Sequence, residues 1–569
     1  MFGADDSGAV LKAMRDELQH SRRLEGVKLE KPYFISYTVE DGDSFTAMAS
    51  MGGIVGTTDA RFRVPRVQVR VGNYDFDNTN YVGSGANFGS RYDIDRFPLD
   101  DSYSVLRRYL WLATDQSYKS AVEALARKHA ALQNMSAGAP LADFAHAEPV
   151  HFLEQTPNEP LDKPAWVARV RSLSAIFTEF PQVLSSSVDV QAAKEVRYLV
   201  TSEGTEVRTG GHTLIVQMSA AGQAPDGMYV RDGDGAFSRD FQHAAGDAQL
   251  ADMARQVAAN VVALARAPVG ETYNGPVLFE GVAAAQLLAE LLGRNLVLTR
   301  KPVNEPGRPS MVPVSEFEGR LSARVLPEWM GVVDDPTRTE WKGHVLFGDT
   351  KVDMEGVVPQ PLTLVEKGVL KNFLLTRQPM TGFTASNGRA QLPGAFGATG
   401  AAISNLLVTA SQTTPVKDLK KQLIQMSQAR NLPYGILVRK LDFPSTAPVD
   451  ELRRLMAANA RDGSGGSHPV SMPILIYKVD KDGKEELIRG VRFRELNVRS
   501  LRDILTAGDD TNVLNYLENG VPMALRGAST YAAEASVVAP SLLIDDLEVR
   551  KLDDELPKLP IVPSPLAGR

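Results

Sequence analysis

Residues 276–292, PVLFEGVAAAQLLAELL, place one acidic side chain, Glu280, at the head of a run that otherwise reads as a buried helix. Ala283, Ala284, Ala285 and Ala289, with Leu287, Leu288, Leu291 and Leu292, supply a small-residue surface for close packing. On this reading Glu280 stands in the first helical turn, where a negative charge gains about 0.3–1 kcal/mol from the helix dipole. The alternative is a carboxylate that acts as a catalytic acid or base. The stretch has to be placed in the chain before the two can be weighed.

Upstream of it, Ala248 to Ala265 is predicted as a helix, and a first domain closes near Pro268. Before that come a helix over Ala165–Glu179 and strands through VRYLVTSEGTEVRTGGHTLIVQMSAAG. Asp100–Met135 reads as a long amphipathic helix, or two, with Leu106, Leu110, Ala113, Val122 and Leu125 inward. YFISYTVED, FTAMASMGGIVG and RFRVPRVQVRVGNYDFDNTNY alternate apolar and polar residues like strands with one face in water. Val10–Leu18 is a first helix after the capping cluster Asp5-Asp6-Ser7. The proline- and alanine-rich Ser136–Lys163 reads as an extended surface segment. Downstream, GVVDD, HVLFGD, LTLVEKGVLKNFLLT, YGILVRKL and ILIYKVDKDGKEELIRGVRFREL are short strand-like runs separated by glycine turns. The expected fold class is therefore α+β. An N-terminal α/β domain (1–268) with mixed sheet and helices precedes a strand-rich domain (269–551) and a proline-rich, mobile tail (552–569).

Composition narrows the function classes. With 62 Lys and Arg against 69 Asp and Glu, the net charge of −7 is spread along the chain, so no nucleic-acid partner is expected. No apolar run reaches the roughly 20 residues that span a bilayer, so no membrane association is expected. The chain contains no cysteine, which removes thiolate nucleophiles, disulfides and sulfur metal ligands. The start, MFGADDSGAVLKAM, shows no secretory leader but equally fits a chain whose leader was removed. Location stays open between the cytoplasm and export, with export favoured.

Catalytic constellations are scarce. A zinc-peptidase helix needs two histidines on one face beside a glutamate, because neutral imidazoles hold the metal while the carboxylate takes a proton from its water. The residue before Glu280 is Phe279, and Ala283 and Ala284 fill the positions open to a second histidine. This helix cannot hold zinc, and no cofactor is expected. Asp353–Lys371 reads as a loop feeding a hairpin that turns at Glu366-Lys367-Gly368, and Thr384–Arg389, TASNGR, as a polar turn. Asp353, Glu355, Asn387 and Arg389 are the candidate cleft residues. RDGSGGSHP (Arg461–Pro469) gathers Ser464, Ser467 and His468 but lacks the strand-turn-helix setting of a nucleophile elbow. His146 and His151 sit five apart in a proline-containing loop with no third ligand, and His344 stands alone.

The order FEGVAAAQLLAELL, VVDDP, DMEGVVPQPLTLVEKGVLKNFLLTRQ, TASNGRA, AISNLLV and YKVDKDGKEELIRGVRFREL resembles the TldD/PmbA family, long called modulators of DNA gyrase. The resemblance covers most of the second half and, more weakly, SEGTEVR at Ser202–Arg208. It implies an α/β domain joined to a strand-rich, barrel-like one. It also implies kinship with zinc metallopeptidases that carry an HExxxH helix and a cysteine ligand and pair with a homologous subunit lacking that motif. Carried over, the first histidine falls on Phe279, the general base on Glu280 and the second histidine on Ala284, while the cysteine has no counterpart. The expected role is a metal-free, PmbA-like partner subunit in peptide or unfolded-protein processing, as a homodimer or with an HExxxH-bearing TldD-like homologue, with Glu280 a remnant general base. Two alternatives stay open: a hydrolase with altered, metal-independent chemistry at Glu280, and a module that binds extended peptides by strand addition.

Overall fold

The computed structural model describes residues 8–24, 30–82, 91–93, 97–133, 141–156, 158–304, 314–393, 399–444, 470–518 and 533–552, with 556–560, 562 and 565 of the tail. The opening stretch divides in two. Tyr273–Phe279 is a strand, Glu280 and Gly281 form a turn, and α-helix begins only at Val282, running to Leu288 before irregular turns at Ala289–Gly293 and Arg294–Leu296. The helix expected from Pro276 is thus a strand for its first part. Val277 and Phe279 pack into the main core while Leu278 packs against the helix Val416–Ala429. A strand covered on both faces is a continuous apolar run, which periodicity cannot tell from a buried helix. Gly281, with φ 65° and ψ −136°, makes the reversal, in a region a Cβ disfavours.

Among the described residues, Tyr273–Phe279 is central in a seven-stranded sheet, parallel to Tyr434–Leu441 and antiparallel to Leu542–Lys551. A six-stranded sheet built on Met330–Asp334, Asn405–Ala410, Ala533–Ala539 and Asn512–Glu518 faces it. The helix Val282–Leu288 lies between them, touching Tyr434–Leu441 on one side and Asn512–Glu518 and Ala533–Ala539 on the other. Its alanines keep the layers close: Ala283, Ala284, Ala285, Leu287 and Leu288 are wholly buried. Leu362–Glu366 and Val369–Leu370 form the expected hairpin, turning at Lys367 and Gly368, both with positive φ.

The N-terminal sheet is made differently. Pro32–Ser50 and Gly53–Val71 are 19-residue strands, each on the order of 60 Å long at about 3.3 Å per residue. The strand runs unbroken through Glu40-Asp41-Gly42, where the sequence suggested an interruption. Gly42 permits this, because a Cβ there would stand 2.5 Å from the Lys194 carbonyl oxygen. Pro32–Ser50 pairs on its other edge with Val183–Thr201, which continues through Glu206–Gln223 to Tyr229–Ser238. Strands of this length accumulate twist, and the sheet curls into a half-barrel. Helices Gly8–Ser21 and Tyr103–Leu132 cover one part of one face, and Lys163–Ala175 and Asp247–Arg266 cover another.

The opposite face meets the second half of the chain. Arg197 donates to the Val352 carbonyl, Thr213 Oγ1 to Glu534 at 2.6 Å, and Arg377 to Glu203 at 2.6 and 2.7 Å. In Ser136–Lys163, expected at the surface, Asp143 and Phe144 are instead buried. The guanidinium groups of Arg70 and Arg377 lie 3.7 and 4.1 Å from the Phe144 ring centre, and Asp143 takes Lys128 and Arg300. Buried cations drew the segment inward. In the tail, the Pro557 carbonyl accepts from Gln223 at 3.2 Å, so the chain is docked at that point. The capping cluster Asp5-Asp6-Ser7 lies outside the described residues. No helix among those described is long and apolar enough to cross a membrane.

Candidate functional site

Glu280 follows the last residue of the central strand, and its N–H donates to the Val438 carbonyl at 2.9 Å, extending the parallel ladder. Side chains alternate along a strand. Phe279 therefore turns inward, wholly buried, with its ring 5.6 Å from that of Phe493. Glu280 emerges on the other side, where Arg439 Nε donates to its carboxylate at 2.6 Å. Arg439 also donates to Glu485 at 2.7 and 3.0 Å, and Lys420 reaches Glu485 at 2.8 Å. Burial pushes the Glu485 carboxyl up, but the hydrogen bonds and charges of Arg439 and Lys420 outweigh it and hold it below the ordinary range. The result is a linear chain of alternating charge, Glu280–Arg439–Glu485–Lys420.

Metal binding at this helix can be tested against its donors. Phe279 and Ala284 point into apolar packing, and Glu280 points away from both toward a guanidinium. Imidazoles at those two positions would not converge with the carboxylate. Among the described residues no three His, Asp or Glu side chains are placed to hold a metal ion. The residues present do not fit zinc.

The other sequence candidates fall in the interface between the halves. Asp353 is buried, accepting from the N–H groups of Glu355, Val357 and Ala390 at 2.8–3.1 Å. Burial, then the charge of Glu355, pushes its carboxyl up to about 7. Asn387 accepts from Leu375 N–H and donates to the Phe373 carbonyl. Arg389 is wholly buried on Asp334 at 2.6 Å, with further bonds to the carbonyls of Asn387 and Gln360. These three hold loops to one another. Glu355 differs: it accepts from Arg377 N–H at 2.6 Å and from Thr399 Oγ1, and it lines an open pocket against the N-terminal sheet. His344 is exposed, His146 stacks on Tyr74 at 3.5 Å, and His151 opens a short edge strand. Ser464, Ser467 and His468 lie outside the described residues.

Sequence reasoning missed Arg439, Glu485 and Lys420. They join Glu280 only through strand pairing and the packing of Val416–Ala429 on the sheet. The available signal was the adjacent charges Arg439 and Lys440 inside YGILVRKL, otherwise a buried strand.

A curled N-terminal sheet joined to a two-sheet layer that encloses a short alanine-rich helix makes this an α+β protein. Residues 272–450 match the model of the PmbA/TldA metallopeptidase C-terminal domain. The chain is 40% identical over 77 residues to a metalloprotease of Archaeoglobus fulgidus, a match spanning 13% of this chain and 17% of that protein. It superposes on TldE from Thermococcus kodakarensis with TM-score 0.58 at 12% identity, covering 95% of this chain and 100% of that one. A candidate modulator of a DNA gyrase from Thermotoga maritima gives 0.56 at 13% identity, covering 91% and 96%. Another from Bacteroides thetaiotaomicron gives 0.57 at 10%, covering 97% and 100%. At such identities these structures share the fold alone.

Proposed function

We propose that this chain is a non-catalytic member of the TldD/PmbA family that serves as the partner subunit of an HExxxH-bearing homologue in peptide or protein processing. The observation that carries the reading is the divergence of the three inherited positions. Phe279 and Ala284 are core residues, and the Glu280 carboxylate is bound to Arg439. One oxygen of this carboxylate is committed to a guanidinium, whereas a general base is turned toward the water it activates. The same pairing counts against an altered hydrolase built on Glu280. Likeness to TldE supports the partner role, and we extend the reading to a division at 1–268, 269–551 and 552–569.

The test is reconstitution. The chain, its HExxxH-bearing homologue and the mixture are each incubated with unfolded peptides. The reading expects the two proteins to co-purify and the mixture to cleave faster than the homologue alone, equally well with Glu280→Gln in this chain. No association, or a mixture no more active than the homologue, would count against it.

A further inference from the structure

Glu195 stands half-buried on the sheet face that meets the second half of the chain, without a counter-ion of its own. Register sets it between Gly42 on one neighbouring strand and Gly211 on the other, so no side chain flanks it across the sheet. The Phe62 ring lies over Gly42, and above Gly211 the space is open, with no atom within 4 Å of where a Cβ would stand. Among the described residues Glu195 makes no hydrogen bond and no ion pair.

The charged groups around it are engaged elsewhere. Glu40, on the adjoining strand, accepts from Arg66, and Arg197, two residues along Glu195's own strand, donates to the Val352 carbonyl. On the other side Thr213 gives its hydroxyl to Glu534, which belongs to the second half of the chain. Arg239 lies 3.1 Å from Glu534 and 2.7 Å from Asp349, which Lys351 approaches at 3.7 Å. Burial, then the charge of Glu40, pushes the Glu195 carboxyl up to about 7; Glu534 adds to the effect, and Arg197 and Arg66 only partly oppose it. Burial raises the Glu534 carboxyl too, against the opposing charge of Arg239 and the hydrogen bond from Thr213.

We propose that the contact between the sheet at Glu195 and the strand Ala533–Ala539 is a pH-sensitive joint, closed while Glu195 carries a proton and loosened when that proton leaves. Repulsion between Glu195 and Glu40 has no outlet, because both are fixed in one ladder. Repulsion between Glu195 and Glu534 crosses the junction, and it is relieved when the two elements part and water reaches both carboxylates. The loosening is local, because Arg377 on Glu203 and Arg489 on Asp226 pin the halves at other points. Folding favours the protonated form of Glu195, so the joint is tightest below about pH 4.5 and weakens as the pH rises through 7.

The test is amide hydrogen exchange of the full chain at about pH 5.5 and about pH 8.5, on either side of the Glu195 titration, corrected for the intrinsic pH dependence of exchange. Segments 209–214 and 533–538 should exchange roughly threefold faster or more at the higher pH, while the helix Asp247–Arg266 keeps its protection. Glu195→Gln, which carries no charge at either pH, should remove the rise. Glu534→Gln, which takes away the facing charge, should shrink it. No rise in the wild type, an equal rise in Glu195→Gln, a rise untouched by Glu534→Gln, or a rise of the same size in Asp247–Arg266 would overturn the proposal.

Discussion

Two carboxylates of this chain, Glu280 and Glu355, mark regions with opposite electrostatic character. Around Glu280 the charges answer one another in the series Glu280, Arg439, Glu485, Lys420. Around Glu355 the charges are also paired, through Arg377 N–H and Thr399, and the carboxylate lines an open pocket beside neutral residues of the N-terminal sheet. The first region is where family resemblance directs attention. The second is where the N-terminal sheet and the second half of the chain meet.

Placing histidines at the two positions that the family resemblance assigns to metal ligands should produce the largest effect. Phe279→His with Ala284→His places two imidazoles in apolar packing, and the loss of the Phe279 contacts alone is expected to cost about 3–5 kcal/mol. No stoichiometric zinc should accompany the loss, as read by thermal unfolding and metal analysis. Stable, zinc-loaded protein would erase the contrast between the two regions.

Arg389→Ala is expected to cost about 3–5 kcal/mol, because it strands the buried Asp334 carboxylate without its counter-ion. The drop should appear as a lower unfolding temperature. An unchanged unfolding temperature would show that Asp334 does not depend on Arg389 as its counter-ion.

A smaller effect concerns pH. Burial, then the charge of Glu40, pushes the Glu195 carboxyl up to about 7 from 4.5. Its folded form holds a proton that the unfolded chain releases, so this contribution is fully present below about pH 4.5 and is lost as pH rises through 7. Glu195→Gln should flatten the decline in unfolding temperature across that window. An unchanged slope would show that this face of the sheet is wetter than its packing implies.

Glu280→Gln should do least. The pair with Arg439 is partly exposed, Arg439 keeps Glu485, and a loss of about 1 kcal/mol or less is expected.

How much of this was legible follows from where the periodicity lies. The helix expected over Ala248–Ala265 is Asp247–Arg266, and Tyr103–Leu132 falls inside the stretch Asp100–Met135, because one face of each is apolar and the other wet. The turn at Lys367-Gly368 was legible because its chemistry is local. Tyr273–Phe279 was not, since burial on both faces removes the period. The run through Gly42 was not, since its neighbour across the sheet, Glu195, lies far along the chain. For the same reason the pocket stayed hidden: residues 36, 68 and 201 become a row only after three strands pair. Of the sequence candidates, Glu355 alone lines the open pocket; Asn387 bonds the backbone of Phe373 and Leu375, and Arg389 is buried on Asp334.

The most direct measurement is zinc content and peptide cleavage by the purified chain alone, wild type beside Glu280→Gln, after incubation with excess zinc and removal of loosely bound ion. The account expects neither form to retain stoichiometric zinc and neither to cleave. One tightly held zinc per chain, or cleavage that disappears with Glu280→Gln, would contradict it.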